Sequence, residues 1–148
     1  IESVAQQFHS DQLKTIYIAN RHRENAEPIA REYGATICDL TAIETVLSGV
    51  DVVVSATASA LPIISKGLIE RVVKQRKSMR PLVLFDLALP RDIEPECSQL
   101  AEVYLYNLDD LKTIMAQSLA KRQLAAQDAE HYIEHATEHY LKLANMYD

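Results

Sequence analysis

Apolar residues along this chain fall into short unbroken runs separated by longer stretches in which they recur at helical spacing. TIYIA (Thr15–Ala19), ATICD (Ala35–Asp39), VDVVVSAT (Val50–Thr57), LVLFDL (Leu82–Leu87) and VYLY (Val103–Tyr106) lack polar alternation. Strands covered on both faces, as in a parallel sheet between helices, read in this way. The intervening stretches predict helices. One runs from Ile1 to about Ser10, with Val4, Ala5 and Phe8 on one face. A second spans about Glu24–Tyr33 and is stopped by Gly34. A third runs to Leu47, capped by Thr41 with Glu44 at capping-box spacing, and Gly49 ends it. A fourth spans about Ile63–Lys77, with Ile64, Leu68, Ile69, Val72 and Val73 turned to the core. A short helix precedes the last strand. The alternation predicts an α/β fold, a Rossmann-like doubly wound parallel sheet.

From Asn107 the texture changes. Asn107, Asp109 and Asp110 suit a helix start, and residues 107–148 contain neither Gly nor Pro. Leu111, Met115, Ser118, Arg122, Ala125, Ala129, Tyr132, Ala136, Leu143 and Tyr147 approximate a heptad seam too weak for a self-sufficient coiled coil. The expectation is two parts: a nucleotide-domain fold over 1–106 and a long helical spine over 107–148 that packs on other elements, a second subunit among them.

A dinucleotide-binding unit opens with a strand and a Gly-x-Gly-x-x-Gly turn. This chain starts inside a helical pattern without methionine, and its three glycines, Gly34, Gly49 and Gly67, lie in no such turn. The expectation is a fold truncated at its amino terminus, with the first strand and the glycine turn upstream of Ile1.

Parallel strands send their carboxyl ends to one edge, where doubly wound sheets bind ligands. Three tips there carry candidate chemistry. Asn20-Arg21-His22-Arg23 follows the first run. A carboxylate at this place accepts from a ribose 2′-hydroxyl, whereas a guanidinium grips a 2′-phosphate; the tip offers Arg21 and Arg23 and no acid until Glu24. A nucleotide site here would therefore prefer the phosphorylated cofactor, and the plainer alternative is a solvated basic turn. Ser55-Ala56-Thr57-Ala58-Ser59 ends the central run in small side chains that leave a crevice open, or forms an ordinary polar turn. Ala88–Pro95 places an Arg-Asp pair between two prolines, a stiff loop at the same edge. The tips of Arg21, Thr57 and Arg91 are expected to line one cleft.

The 148 residues, 48% hydrophobic and 24% charged, allow one domain with an appendage. A net charge of -6 argues against a general nucleic-acid surface. The basic residues Lys66, Arg71, Lys74, Arg76, Lys77 and Arg80 read as a solvated helix face or, alternatively, an RNA-backbone contact. No apolar run approaches a membrane span, and two cysteines are too few for a disulfide framework, which points to a reducing cytoplasm. Cys38 and Cys97 have no neighbouring His or Lys and read as small, semi-buried fillers. His131-Tyr132-Ile133-Glu134-His135, extended by His139, fits an inverted zinc-protease pattern. A spinal helix has no pocket for catalysis, so solvated surface is the expectation and no metal site is assigned.

Taken together, IYIANRHRENA, DVVVSATASALPII with KGLIE behind it, LFDLALPRDIEPE, VYLYNLDDL and AKRQLAA resemble glutamyl-tRNA reductase over essentially the whole chain. The NR turn and the small-residue tip are shared with shikimate dehydrogenase-like enzymes; LPRDIEPE and LYNLDDL separate the two. The resemblance implies an oxidoreductase of three domains: a catalytic domain with a cysteine nucleophile, an NADPH-binding domain, and a spinal helix leading to a dimerisation domain. In that family the glutamyl group of glutamyl-tRNA is held as a thioester and reduced with NADPH to glutamate-1-semialdehyde, the first step of tetrapyrrole formation by the five-carbon route. This chain resembles the second domain and the beginning of the spine, so it is expected to be inactive alone and to hold no catalytic residue. By the same resemblance Asn20 and Arg21 face the adenosine ribose and 2′-phosphate, with Arg23 expected to supply charge beside them. Ser55, Thr57 and Ser59 lie along the phosphate and nicotinamide-ribose side, and Asp86, Pro90 and Arg91 line the nicotinamide end. His22 stands where the family commonly has Thr. The implied partners are glutamyl-tRNA, a second copy of the chain through the carboxyl-terminal helix and missing domain, and the downstream glutamate-1-semialdehyde aminotransferase, with no membrane. The rival readings are a shikimate dehydrogenase-like NADP enzyme, which a Lys-Asp dyad at the nicotinamide would favour, and a non-catalytic nucleotide-binding or dimerisation module.

Overall fold

The computed structural model describes residues 2–11 and 13–144. The chain divides into two compact units, Ile1–Asn107 and Leu108–Asp148.

In the first unit every strand pairing is parallel. β1 (Tyr17–Ala19) pairs with β2 (Thr36–Cys38), Ile18 opposite Ile37. α1 (Glu2–Ser10) precedes this ladder and α2 (Arg23–Tyr33) connects its strands, covering it with Ala26 and Ala30, which pack with Ile18 in a small core. α2 ends where the sequence predicts. Gly34 takes φ 63°, the left-handed region open to glycine, and its N–H returns to the Ala30 carbonyl.

β3 (Val52–Ser55), β4 (Leu82–Asp86) and β5 (Val103–Asn107) form a second ladder in the order β3-β4-β5, with Val54 opposite Phe85 and Leu84 opposite Leu105. Parallel neighbours need crossovers. α3 (Ile43–Ser48) leads into β3, α4 (Lys66–Gln75) joins β3 to β4, and a 3-10 segment (Pro95–Gln99) precedes β5. The larger core lies here. Ile69 and Val72 of α4, both fully buried, pack with Leu82, Leu84, Ile93 and Cys97, and each such side chain contributes about 1.5–3 kcal/mol by leaving water.

Among the described residues no ladder joins β1 to β3, so the single sheet expected from the sequence is two ladders, β1-β2 and β3-β4-β5. As the edge strand of its ladder, β3 starts with Val52 42% exposed, and Tyr17 of β1 and Tyr104 of β5 are exposed as well, so the expectation of cover on both faces fails in these three strands.

Three local expectations are corrected. Thr41 does not cap a helix: Asp39 accepts its N–H and its hydroxyl, both at 2.8 Å, and opens a 3-10 turn (Leu40–Ala42), while Glu44 reaches Arg71 and Gln75 instead. A nearby Asp at the strand end competes better for the N–H than a capping box does. α4 begins at Lys66, because Ile64 is held extended by a parallel bridge to Ile93 and Ser65 takes the N-cap position. Arg76 is no part of a solvated face. Its side chain is 4% exposed and donates to the Val50 and Arg80 carbonyls and, at 2.9 Å, to Asp51.

The second unit is α5 (Leu108–Ala144), 37 residues long and hence about 55 Å. Of the expected seam, Leu111 is half-buried, while Met115, Ser118, Arg122, Ala125, Ala129, Tyr132 and Ala136 are exposed. The Leu143 side chain and Tyr147 lie outside the described residues.

Candidate functional site

The carboxyl ends of β3 and β4 are joined into one body by two buried carboxylates. Asp86 closes β4 and is 1% exposed. One of its oxygens accepts the Ala88 N–H at 3.0 Å and the other the Ile93 N–H at 2.9 Å, which folds the loop 88–93 back over the strand end. Asp92, within that loop, is 0% exposed. Its Oδ2 accepts from Ser55 Oγ at 2.6 Å and from the Thr57 N–H at 2.8 Å, and its Oδ1 accepts from Thr57 Oγ1 at 2.5 Å. The Asp92 carbonyl takes the Ile63 and Ile64 N–H groups at 2.8 and 3.0 Å, and the Ser55 carbonyl takes that of Leu87 at 2.8 Å. Glu94 then accepts the Lys66 N–H at the start of α4 at 2.7 Å. Buried charge is tolerated only where hydrogen bonds replace its water. Among the described residues no buried side-chain polar atom lacks a partner.

Ser55, Thr57, Asp86 and the loop bearing Pro90 and Arg91 are thus brought together. Ser55 is buried, Thr57 exposed, and Ser59 and Arg91 half-buried. Pro90, after a cis peptide bond, is exposed. Asp86 acts inward, on its own loop. Ser59 Oγ donates to the Leu61 carbonyl at 2.7 Å, and its N–H donates to Thr57 Oγ1 at 3.2 Å.

The remaining candidates stand at the carboxyl end of β1, in the other ladder. Asn20 Oδ1 accepts the His22 N–H at 2.9 Å, a tight polar turn that leaves Arg21 exposed at its apex. Arg23 turns along α2 to Glu27 at 3.2 Å, and His22 stands 3.7 Å from Glu24. Asp39, at the tip of β2, lies within reach of this charge. Its carboxyl is held below the ordinary carboxylate range first by the Thr41 N–H, then by the Thr41 hydroxyl, with a smaller pull from Arg23.

Asp92 and Asp39 are the residues that reading along the chain misses. Asp92 looks like half of an exposed Arg-Asp pair; the apolar Ile93 beside it, which must turn into the core, is the signal that its neighbour is carried inward. Asp39 reaches the basic turn only through the parallel register of β1 and β2.

Elsewhere, Cys97 is fully buried, and burial above all raises its thiol to about 11; Cys38 is also pushed up by burial. Neither is a thiolate at neutral pH. The His131 and His135 rings meet edge-on with centroids 5.6 Å apart, and no three metal-ligating side chains converge among the described residues. No helix among them is long and apolar enough to cross a membrane.

The architecture has solved counterparts. Glutamyl-tRNA reductase from Methanopyrus kandleri is similar at 29% identity over 90% of this chain, with a TM-score of 0.79, and the chain spans 33% of that protein. The nucleotide binding domain of glutamyl-tRNA reductase from Thermoplasma volcanium shares the fold at a TM-score of 0.55 and 20% identity, over 74% of this chain and 68% of that one. The model of the shikimate / quinate 5-dehydrogenase family matches residues 1–114, from α1 through all five strands and into the first turns of α5. By that match the chain belongs to the shikimate / quinate 5-dehydrogenase family, and along nearly its whole length it is similar to glutamyl-tRNA reductase.

Proposed function

We propose that this chain is the NADPH-binding part, with the beginning of the spinal helix, of a glutamyl-tRNA reductase. The whole enzyme would reduce the glutamyl group of glutamyl-tRNA to glutamate-1-semialdehyde. The observation that carries the reading is the PRDIEP loop bound through Asp86 and Asp92 to the small-residue tip of β3, in a chain similar over 90% of its length to the Methanopyrus kandleri reductase. By the resemblance, that loop together with the LYNLDDL stretch distinguishes glutamyl-tRNA reductases from shikimate dehydrogenase-like enzymes.

The residues present fit a phosphorylated nicotinamide dinucleotide. Arg21, exposed at the apex of the Asn20 turn, offers a planar donor fork to a 2′-phosphate, and Asn20 fixes the turn beneath it. Arg23 adds charge but is directed to Glu27. Small side chains at Ser55–Ser59 admit the cofactor to the strand ends, while Pro90 and Arg91 border the same edge. Bound there, NADPH would supply the hydride. The chain's own part is to bind and orient, since neither Cys38 nor Cys97 is placed or ionised to hold a thioester; the nucleophile belongs to another part of the enzyme. Exposed Leu119, Leu124, Tyr132, Ile133 and Tyr140 along α5 support a spine that meets a second subunit.

Titration of the full-length protein with NADPH and NADH tests this reading. NADPH is expected to bind at least about tenfold tighter, and Arg21→Ala to remove most of that preference. Equal binding of the two, or a preference that survives Arg21→Ala, would overturn it. The family match also favours a second reading, a shikimate dehydrogenase-like NADP enzyme; reduction of NADP on addition of shikimate would select it.

A further inference from the structure

One buried side chain that ties the β3–β4 edge together is not assigned by the family resemblance. Asp92, fully buried, accepts three hydrogen bonds from the tip of β3. We infer that Asp92 is the positioning residue of the cofactor site: by accepting the hydrogen bonds that the Ser55 and Thr57 hydroxyls have to give, it makes the β3 tip an acceptor surface. Such a surface suits a ligand group that donates hydrogen bonds, such as a ribose hydroxyl or a carboxamide N–H, and not a phosphoryl oxygen. The inference rests on the nicotinamide-cofactor reading above.

The argument is a count of protons. A hydroxyl has one proton to give and two lone pairs, and a carboxylate only accepts. Ser55 Oγ and Thr57 Oγ1 lie 2.6 and 2.5 Å from Asp92 oxygens, the spacing of charge-assisted O–H···O⁻ bonds, so both protons point at Asp92. The Ser59 proton goes to the Leu61 carbonyl at 2.7 Å. None of the three hydroxyls retains a proton for a ligand. Thr57 also accepts the Ser59 N–H at 3.2 Å, which leaves it one lone pair, and Ser59 keeps its own. A phosphoryl oxygen brought here would meet lone pairs, with the charge of Asp92 behind them; a hydroxyl or an amide N–H would find its partners. The same residue sets the position of the tip, because its carboxylate holds the Thr57 backbone and its carbonyl holds Ile63 and Ile64. Polarity and placement therefore share one origin.

The test compares two ligands in the full-length protein, NADPH and 2′,5′-ADP, by titration calorimetry, with thermal unfolding alongside. 2′,5′-ADP carries only the phosphorylated adenosine end, assigned to Asn20 and Arg21. Asp92→Asn leaves one acceptor oxygen and sets an NH₂ group against groups that now donate, so at least one hydroxyl must reverse. The expected result is a Kd for NADPH raised about tenfold, with that for 2′,5′-ADP unchanged. Thr57→Val is expected to weaken NADPH less, and the double variant to be no worse than Asp92→Asn alone, since Asp92 acts through Thr57. A residue that only supports the fold would lower the melting temperature and weaken both ligands alike. Wild-type protein that binds neither ligand sinks the cofactor reading and this inference with it. Wild-type protein that binds both, with Asp92→Asn losing both equally or neither, overturns the role of Asp92 alone. Should Asp92→Asn fail to fold, Thr57→Val decides: selective loss of NADPH supports the assignment, and equal loss or none overturns it.

Discussion

The two ladders of the first unit are built by opposite means. At the β3–β4 edge the loops are tied by carboxylates that water does not reach, over a core in which Ile69 and Val72 have no exposed surface. At the β1 edge the turn is shaped by bonds between near neighbours, Asn20 to His22 and Arg23 to Glu27, all of them exposed, over a small core of Ile18, Ala26 and Ala30. The first edge is preformed and costs stability if altered. The second is open, so a charged ligand can meet Arg21 with little to displace. A site assembled from both would take its rigidity from one ladder and its charge selectivity from the other.

The largest departure is expected from Asp86→Ala, which leaves the Ala88 and Ile93 N–H groups buried without an acceptor. A loss of about 3 kcal/mol in urea unfolding is the expected outcome; a loss below about 1 kcal/mol would mean that this edge is not held by its carboxylates.

Next comes the opposite end of the same strand, where Arg76→Met removes a nearly buried guanidinium from Asp51 and two carbonyls, at a cost of about 2 kcal/mol. This pair carries a pH signature. Arg76 above all, and Arg80 less, hold the Asp51 carboxyl below the ordinary range against some desolvation. A carboxyl depressed in the folded state stabilises above its unfolded value of about 3.9 and loses that contribution as the pH falls through the folded value. Wild-type protein should therefore lose stability below about pH 4, more steeply than Arg76→Met. Since Asp51 is 40% exposed, solvent screens much of the effect, and parallel curves for the two proteins would count against it.

In the other ladder Gly34→Ala is expected to cost about 1 kcal/mol. No neighbour lies within 4 Å of the added methyl, so the whole penalty is the strain of φ 63°, and a thermal shift corresponding to twice that would reveal packing that the structure lacks. Smallest of all, Arg21→Ala should move stability by less than about 0.5 kcal/mol while changing cofactor preference. A substantial loss of stability there would erase the contrast between the two edges.

The elements were legible because their signals are local. Unbroken β-branched runs, helical spacing from Ile64 to Val73 and Gly34 as a terminator each act within a few residues, and they predicted the alternation of strands and helices with ends displaced by one to three positions. The helix starts expected at Thr41 and Ile63 lie further on in the structure, because a competing acceptor, the Asp39 carboxylate in one case and the Asp92 carbonyl in the other, offers the backbone a better partner than the cap.

For this protein the amino-acid order alone determined the α/β class, the change of texture near residue 107 and the three tips that carry polar chemistry, since each depends on spacing along the chain. The tertiary structure decided which charges face inward. Whether Asp92 and Arg76 are solvated or buried depends on partners 35 to 37 and 25 to 26 residues away, and a charge leaves water only when such distant groups arrive together to replace it.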